Sequence, residues 1–151
     1  QKQFSRIMSL KDGMKKMSKS DPSDLSRINL TDDKDQITNK IKKAKTDPMP
    51  MPLDKKSLLE RPEAENLLGI YSSLVNQDIE TSINEFKGKN FSEFKEKLSE
   101  ILIEKINPIS REIKKLLNEE KYLDEILLKG SIKADKIASK KMKEIKKLVG
   151  F

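Results

Sequence analysis

The segment Gly13-Met14-Lys15-Lys16-Met17-Ser18-Lys19-Ser20 crowds three lysines, two hydroxyls and a glycine into eight residues. Phosphate groups are held by that mixture. Lysine carries a compact charge on a flexible stem, hydroxyls and backbone N–H groups donate hydrogen bonds, and glycine lets the chain bend or approach closely. One phosphate template, Gly-x-x-x-x-Gly-Lys-Ser/Thr, aligns Gly13, Lys19 and Ser20 but demands glycine where Ser18 stands. It also requires a long helix to open directly behind it, whereas Asp21-Pro22-Ser23-Asp24 follows here. Taken alone, the segment is also readable as a solvated, lysine-rich surface loop.

Composition narrows the chemistry available to such a loop. The 151 residues contain no His and no Cys, which excludes a Cys/His zinc site and every triad, dyad or proton shuttle built on those side chains. Without cysteine there is no disulfide framework, so a reducing compartment is allowed. Hydrophobic residues make up 34% and charged residues 38%, a polar balance that still permits a core where apolar positions recur periodically. Lys and Arg number 32 against 25 Asp and Glu, a net charge of +7 that favours polyanionic partners or, equally, a solvated helix face. No apolar run approaches the roughly 20 residues that span a bilayer, and no membrane association is expected. Residues 1–6 show neither a leader nor a starting Met, and the chain is expected to begin inside a longer protein.

The elements that must position the loop follow from periodicity and punctuation. Arg6-Ile7-Met8-Ser9-Leu10 reads as the end of a strand or an extended segment, and residues 11–31 as a loop with one helical turn. Thr31 is the expected N-cap of a helix carrying Ile37, Ile41 and Ala44, with Asp32 and Asp33 in its first turn. Pro48, Pro50 and Pro52 forbid its continuation and make residues 46–52 a linker or extended strap. Pro62 opens a helix with Leu67, Leu68, Tyr71, Leu74 and Val75 on one stripe. Asp78 caps a short helix bearing Ile79, Ile83 and Phe86, closed by Gly88. A long helix runs from Phe91 with Phe94, Leu98, Ile101, Leu102, Ile106, Ile109, Ile113, Leu116 and Leu117 inward, and Pro108 is expected to bend or break it. Tyr122, Leu123, Ile126 and Leu127 mark a further helix stopped at Gly130, and Ser131 caps the last one, which ends at Gly150. The few aromatics, Tyr71, Phe86, Phe91 and Phe94, are expected in the core. On the last helix Lys133, Lys136, Lys140, Lys143 and Lys147 fall within an arc of about 80° at 100° per residue. Ile137, Ala138, Met142, Ile145, Leu148 and Val149 lie opposite.

Lys16-Met17-Ser18-Lys19-Ser20 matches letter for letter the Lys-Met-Ser-Lys-Ser signature of class I aminoacyl-tRNA synthetases. Its surroundings extend the match in order: Ile7-Met8-Ser9-Leu10 before it and Asp21-Pro22-Ser23 after it. Then come Lys40-Ile41-Lys42-Lys43-Ala44-Lys45-Thr46-Asp47, Arg61-Pro62-Glu63, Asn66-Leu67-Leu68 and Ile70-Tyr71. Phe86-Lys87-Gly88-Lys89, Pro108-Ile109, Gly130-Ser131-x-Lys133-Ala134 and Gly150-Phe151 complete it. The ordered set resembles the bacterial-type tryptophanyl-tRNA synthetases across essentially the whole chain; the related tyrosyl enzymes usually carry a different form of the loop.

The resemblance implies ATP-dependent activation of tryptophan to its adenylate and transfer to tRNA(Trp). Lys16 and Lys19 would stabilise charge on the leaving pyrophosphate, Ser18 and Ser20 would donate hydrogen bonds or shape the loop, and Met17 and Ile7 would lie near the adenine, Ile7 at the carboxyl end of its strand. Gly13 would let the loop close and reopen. Mg2+ would arrive with ATP, with no protein ligand assignable. The implied fold is mainly α: an antiparallel helical bundle of anticodon-binding type, preceded by the irregular C-terminal edge of a Rossmann-like catalytic domain. The expected division is 1–31 for that edge, 32–60 for a helix and Pro-rich connector, and 61–151 for the helical domain, whose Lys133, Lys136, Lys140, Lys143 and Lys147 would meet tRNA. The tryptophan pocket, the second signature rich in His and most of a homodimer surface would lie in the other half of a cytoplasmic enzyme, so this part alone is expected to be inactive. The competing reading is a non-catalytic basic helical module that binds nucleic acid.

Overall fold

Residues 6–150 are described by a computed structural model. Gln1–Ser5, read above for a leader, and Phe151, the end of the family likeness, lie outside the described residues. The chain divides into two compact units, Gln1–Arg111 and Glu112–Phe151. As the resemblance implies, the fold is mainly helical, with one small sheet.

The first unit opens with an antiparallel hairpin, β1 (Met8–Ser9) and β2 (Asp12–Lys16), followed by a 3-10 turn at Asp24–Ser26. Five helices begin in it: α1 (Lys34–Lys43), α2 (Lys55–Leu59), α3 (Pro62–Val75), α4 (Ile79–Phe86) and α5 (Phe91–Leu117). Helix α1 starts later than Thr31. Its N-cap is Asp33, whose carboxylate accepts from the Gln36 N–H while Gln36 Oε1 accepts from the Asp33 N–H, a complete capping box. Asp32 is thereby left out of the first turn for another task. Helix α2 was not expected; Asp54 and Ser57 form its own capping box. Pro62 at the first helical position and Asp78 as N-cap of α4 stand where the sequence puts them.

The core gathers Ile37 and Ile41 of α1, Leu67, Leu68 and Tyr71 of α3, and Ile83 and Phe86 of α4 against Phe94, Leu98 and Leu102 of α5. Tyr71, Phe86 and Phe94 meet edge to face, with centroids 4.9 Å apart for Tyr71–Phe86 and for Phe86–Phe94. Phe91 is only partly buried, under the Arg61 guanidinium. The proline-rich segment is a strap, not a free linker. Arg61 donates to both Asp47 carboxylate oxygens (2.8 and 2.6 Å) and to the Pro50 carbonyl (2.7 Å). Met51 is buried and trades hydrogen bonds with Lys89 and Gly88.

Two expected interruptions do not occur. Helix α5 is continuous through Pro108, although its later apolar residues Ile109 and Leu117 are exposed. In the second unit α6 (Glu120–Val149) passes through Gly130 and Ser131 without a cap, and ends at Gly150 in the left-handed conformation with φ 86°. None of its residues is buried, so Ile137, Met142, Ile145, Leu148 and Val149 are exposed, as the lysines of the other face are.

Candidate nucleotide-binding loop

The hairpin carries the loop, and its register is pinned from a distance. Met8 pairs with Lys16 and Ser9 with Asp12, with an irregularity between Met8 and Ser9. The Asn66 amide of α3 closes a two-point clamp on Met8: Oδ1 accepts from the Met8 N–H at 2.8 Å and Nδ2 donates to the Met8 carbonyl at 2.9 Å. Leu10, buried in the hairpin turn, donates its N–H to Ser26 (2.9 Å) and accepts from the Lys45 N–H (2.7 Å). Lys45 in turn binds Glu63 at 2.8 Å, and that hydrogen bond holds the Glu63 carboxyl below its ordinary value.

At Gly13, where the resemblance implies a hinge, the chain makes a close backbone contact. A Cβ there would lie 2.6 Å from the Pro62 carbonyl carbon and 2.7 Å from the Glu63 nitrogen, so glycine allows β2 to rest against the first turn of α3. Ile7 also departs from expectation. It precedes β1 instead of ending a strand; it is half exposed, and its carbonyl accepts from the Met17 N–H at 3.1 Å.

The signature residues then leave the sheet together. Lys16 ends β2, Met17 turns in against the core, and Ser18, Lys19 and Ser20 are exposed. Ser18 accepts from the Ser20 N–H at 3.3 Å and its hydroxyl lies 3.1 Å from that of Ser20, while its carbonyl receives the Asp21 N–H. This tight turn presents two neighbouring hydroxyls and the exposed Lys19, with Lys16 just before it. Among the described residues neither Lys16 nor Lys19 enters an ion pair, whereas the neighbouring Lys15 reaches Asp12.

Beyond Ser20 the chain is fixed again. The Ser23 N–H bonds to Asp21 Oδ1 at 2.8 Å, and Arg27 Nη1 donates to the carbonyls of Asp21 (2.9 Å) and Ser23 (3.4 Å). Asp24 and Asp32 converge on Lys40 Nζ at 2.7 and 2.6 Å, with Lys40 only 3% exposed. The hydrogen bond from Lys40, then that from Asn29, holds the Asp24 carboxyl below its usual range. Sequence reading assigned no role to Asn66, Arg27 or Lys40. A signal existed for two of them: Asn66 interrupts the apolar stripe beside Leu67 and Leu68, and Lys40 shares the buried arc of Ile37 and Ile41.

Lys133, Lys136, Lys140, Lys143 and Lys147 belong to the second unit, all exposed on α6. Among the described residues no cluster of three or more acidic side chains could hold a metal ion, and no helix is long and apolar enough to cross a membrane.

The family model of the class I tRNA synthetases for tryptophan and tyrosine (W and Y) matches residues 2–107. The chain belongs to this family. Among class I synthetases it is 49% identical over 146 residues to the tryptophan–tRNA ligase of Rhizobium meliloti, covering 97% of this chain and 41% of that protein. The Agrobacterium fabrum ligase is 51% identical over the same length and coverage, and that of Rickettsia felis 51% over 147 residues with 44% of its length covered. Thus the chain spans about two fifths of the curated synthetases it matches. The crystal structure of tryptophanyl-tRNA synthetase from Mycoplasma pneumoniae superposes with a TM-score of 0.61 at 29% identity, covering 74% of this chain and 35% of that one.

Proposed function

We propose that this chain is the part of a tryptophan–tRNA ligase that grips the phosphates of ATP and carries the anticodon-binding helices. One observation carries the reading. A Lys16-Met17-Ser18-Lys19-Ser20 turn, its lysines exposed and outside any ion pair among the described residues, is anchored by hydrogen bonds on both sides in a chain about half identical to tryptophan–tRNA ligases over nearly all its length.

In such an enzyme the tryptophan carboxylate attacks the α-phosphate, pyrophosphate leaves, and the aminoacyl group then passes to the tRNA terminus. Charge accumulates on the departing pyrophosphate, so the protein's contribution is placement and electrostatic stabilisation. Lys16 and Lys19 supply the positive charge, and Ser18 and Ser20 hydrogen-bond donors. Met17, tucked against the core, and Ile7, half exposed beside it in the backbone ladder, offer apolar surface for the adenine. Mg2+ enters as the companion of ATP. Residues 1–31 belong with the catalytic domain, 32–60 form the connector, and 61–151 the helical tRNA-binding part of a cytoplasmic homodimer. The amino-acid pocket and the His-rich signature belong to the remaining portion of the enzyme, and the chain by itself does not activate tryptophan.

In the whole ligase, Lys19→Ala should lower the kcat of tryptophan-dependent pyrophosphate exchange by about 100-fold, with a smaller change in the KM for ATP. Unchanged exchange kinetics would overturn the assignment of the loop.

A further inference from the structure

The Lys16–Ser20 turn is open to solvent, yet the backbone on both sides of it is fixed. On the entry side Asn66 clamps Met8 and Gly13 rests on α3. On the exit side one side chain does the equivalent work. Arg27 Nη1 holds the carbonyls of Asp21 and Ser23, the residues directly after and three after Ser20. Its guanidinium is itself oriented: Nε donates to Asn29 Oδ1 at 3.2 Å and Nη2 lies 3.3 Å from Asp24 Oδ1. Asn29 Nδ2 donates to both Asp24 (2.9 Å) and Asp32 (3.3 Å), and Lys40 binds both carboxylates from α1. The Arg27 side chain is 18% exposed, Lys40 3% and Asp32 4%, whereas Asp24 is 56% exposed, so the assembly is a polar cluster buried on the Lys40–Asp32 side and open to solvent at Asp24.

A lysine on a flexible stem stabilises a phosphate only as well as its Cα is placed, and a displacement of about 1 Å can cost up to 100-fold in rate. Lys19 is two residues from the carbonyl that Arg27 holds. We infer that Arg27 is a positioning residue for Lys19: by pinning the Asp21 and Ser23 carbonyls against the Asp24–Lys40–Asp32 block, it fixes where the loop's second lysine can place its charge. The inference rests on the reading of the loop as the ATP-phosphate grip. Arg27 does not touch substrate in this account; its effect passes through the backbone.

A double-mutant cycle in the whole ligase separates this from a structural or direct electrostatic role. Pyrophosphate exchange is measured for the parent, Arg27→Ala, Lys19→Ala and the double variant, with thermal unfolding followed alongside. Arg27→Ala should lower kcat about tenfold with the KM for ATP changed less than about threefold, and Arg27→Lys, which keeps one donor, should recover part of the loss. In the Lys19→Ala background Arg27→Ala should cost less than about twofold, because the group it positions is already gone. A full tenfold loss in that background, or no loss in the single variant, overturns the inference. If Arg27→Ala does not fold, Arg27→Lys carries the same cycle. If Lys19→Ala alone leaves kcat unchanged, the reading of the loop fails, and the positioning role falls with it by a separate and recognisable outcome.

Discussion

At Gly13 the contact is with backbone, which cannot swing aside as a side-chain tip can. A methyl group 2.6 Å from the Pro62 carbonyl carbon and 2.8 Å from its oxygen forces the hairpin off α3. Gly13→Ala should therefore destabilise the protein by about 1–3 kcal/mol, the usual cost of overpacking, read as a lower midpoint of thermal or urea unfolding. An unchanged midpoint would show that β2 is free of α3 and return Gly13 to the hinge role that its place in a phosphate loop suggests. Asp47 offers a second residue-scale test. Burial pushes its carboxyl up, but the Arg61 hydrogen bond and the Met49 N–H outweigh this and hold it below its ordinary value. Since the folded value is the depressed one, the stabilisation is fully present above the unfolded value and is lost as pH falls through the folded one, that is, below about pH 4. Asp47→Asn should lower the unfolding midpoint at pH 6, and its deficit should shrink as both proteins are taken down to pH 2.5. A deficit that stays constant over that range would remove the ion pair from the account.

Helices reveal themselves in sequence through periodicity more reliably than through punctuation. The apolar spacing of α3, α4 and the first half of α5 was legible, as was Asp78 as a cap, because each depends on neighbours within a turn or two. Gly130 was read as a stop and Pro108 as a bend or break within a longer helix, yet α6 runs through the one and α5 is continuous across the other. One glycine costs a helix only about 1 kcal/mol, and the good helix formers on both sides of Gly130 outweigh it. The start of α1 was legible and overlooked: Asp33-x-x-Gln36 is a capping box two residues after Thr31, and Asp32 is withdrawn to bind Lys40. For the loop, the signature residues could be read directly, but their anchors could not. Met8 and Asn66 are 58 positions apart, and only the folded backbone brings them together. Gly130 yields the element-scale prediction. A Cβ there meets nothing within 4 Å, so Gly130→Ala should stabilise α6 by about 0.5–1 kcal/mol. Amide hydrogen exchange over residues 126–134 should slow several-fold, and exchange that does not slow would place a break in the helix at Gly130 after all.

For the molecule as a whole, the decisive quantity is where the net charge of +7 resides. Within α6, Lys133, Lys136, Lys140, Lys143 and Lys147 share one arc, and every one of them is exposed. Exposure of that kind fits a solvated helix face as well as a phosphate-binding one, and salt dependence tells them apart. Each phosphate contact releases counterions, so affinity falls with salt along a slope of about 0.7–0.9 per contact on a logarithmic plot. If the proposed tRNA-binding role belongs to this arc, replacing all five lysines by Gln should make the slope for tRNA(Trp) shallower by about 3.5–4.5 and weaken binding most at low salt. Phosphate contacts carry no sequence information directly, so the ratio of cognate to non-cognate affinity should change little while both affinities drop. A loss confined to cognate tRNA would instead make the arc a reader of bases. An unaltered slope would assign these lysines to solvent, and any polyanion contacts would then come from lysines outside the arc, such as Lys114, Lys115, Lys121, Lys129, Lys141 and Lys146 of the same unit or those of the first unit.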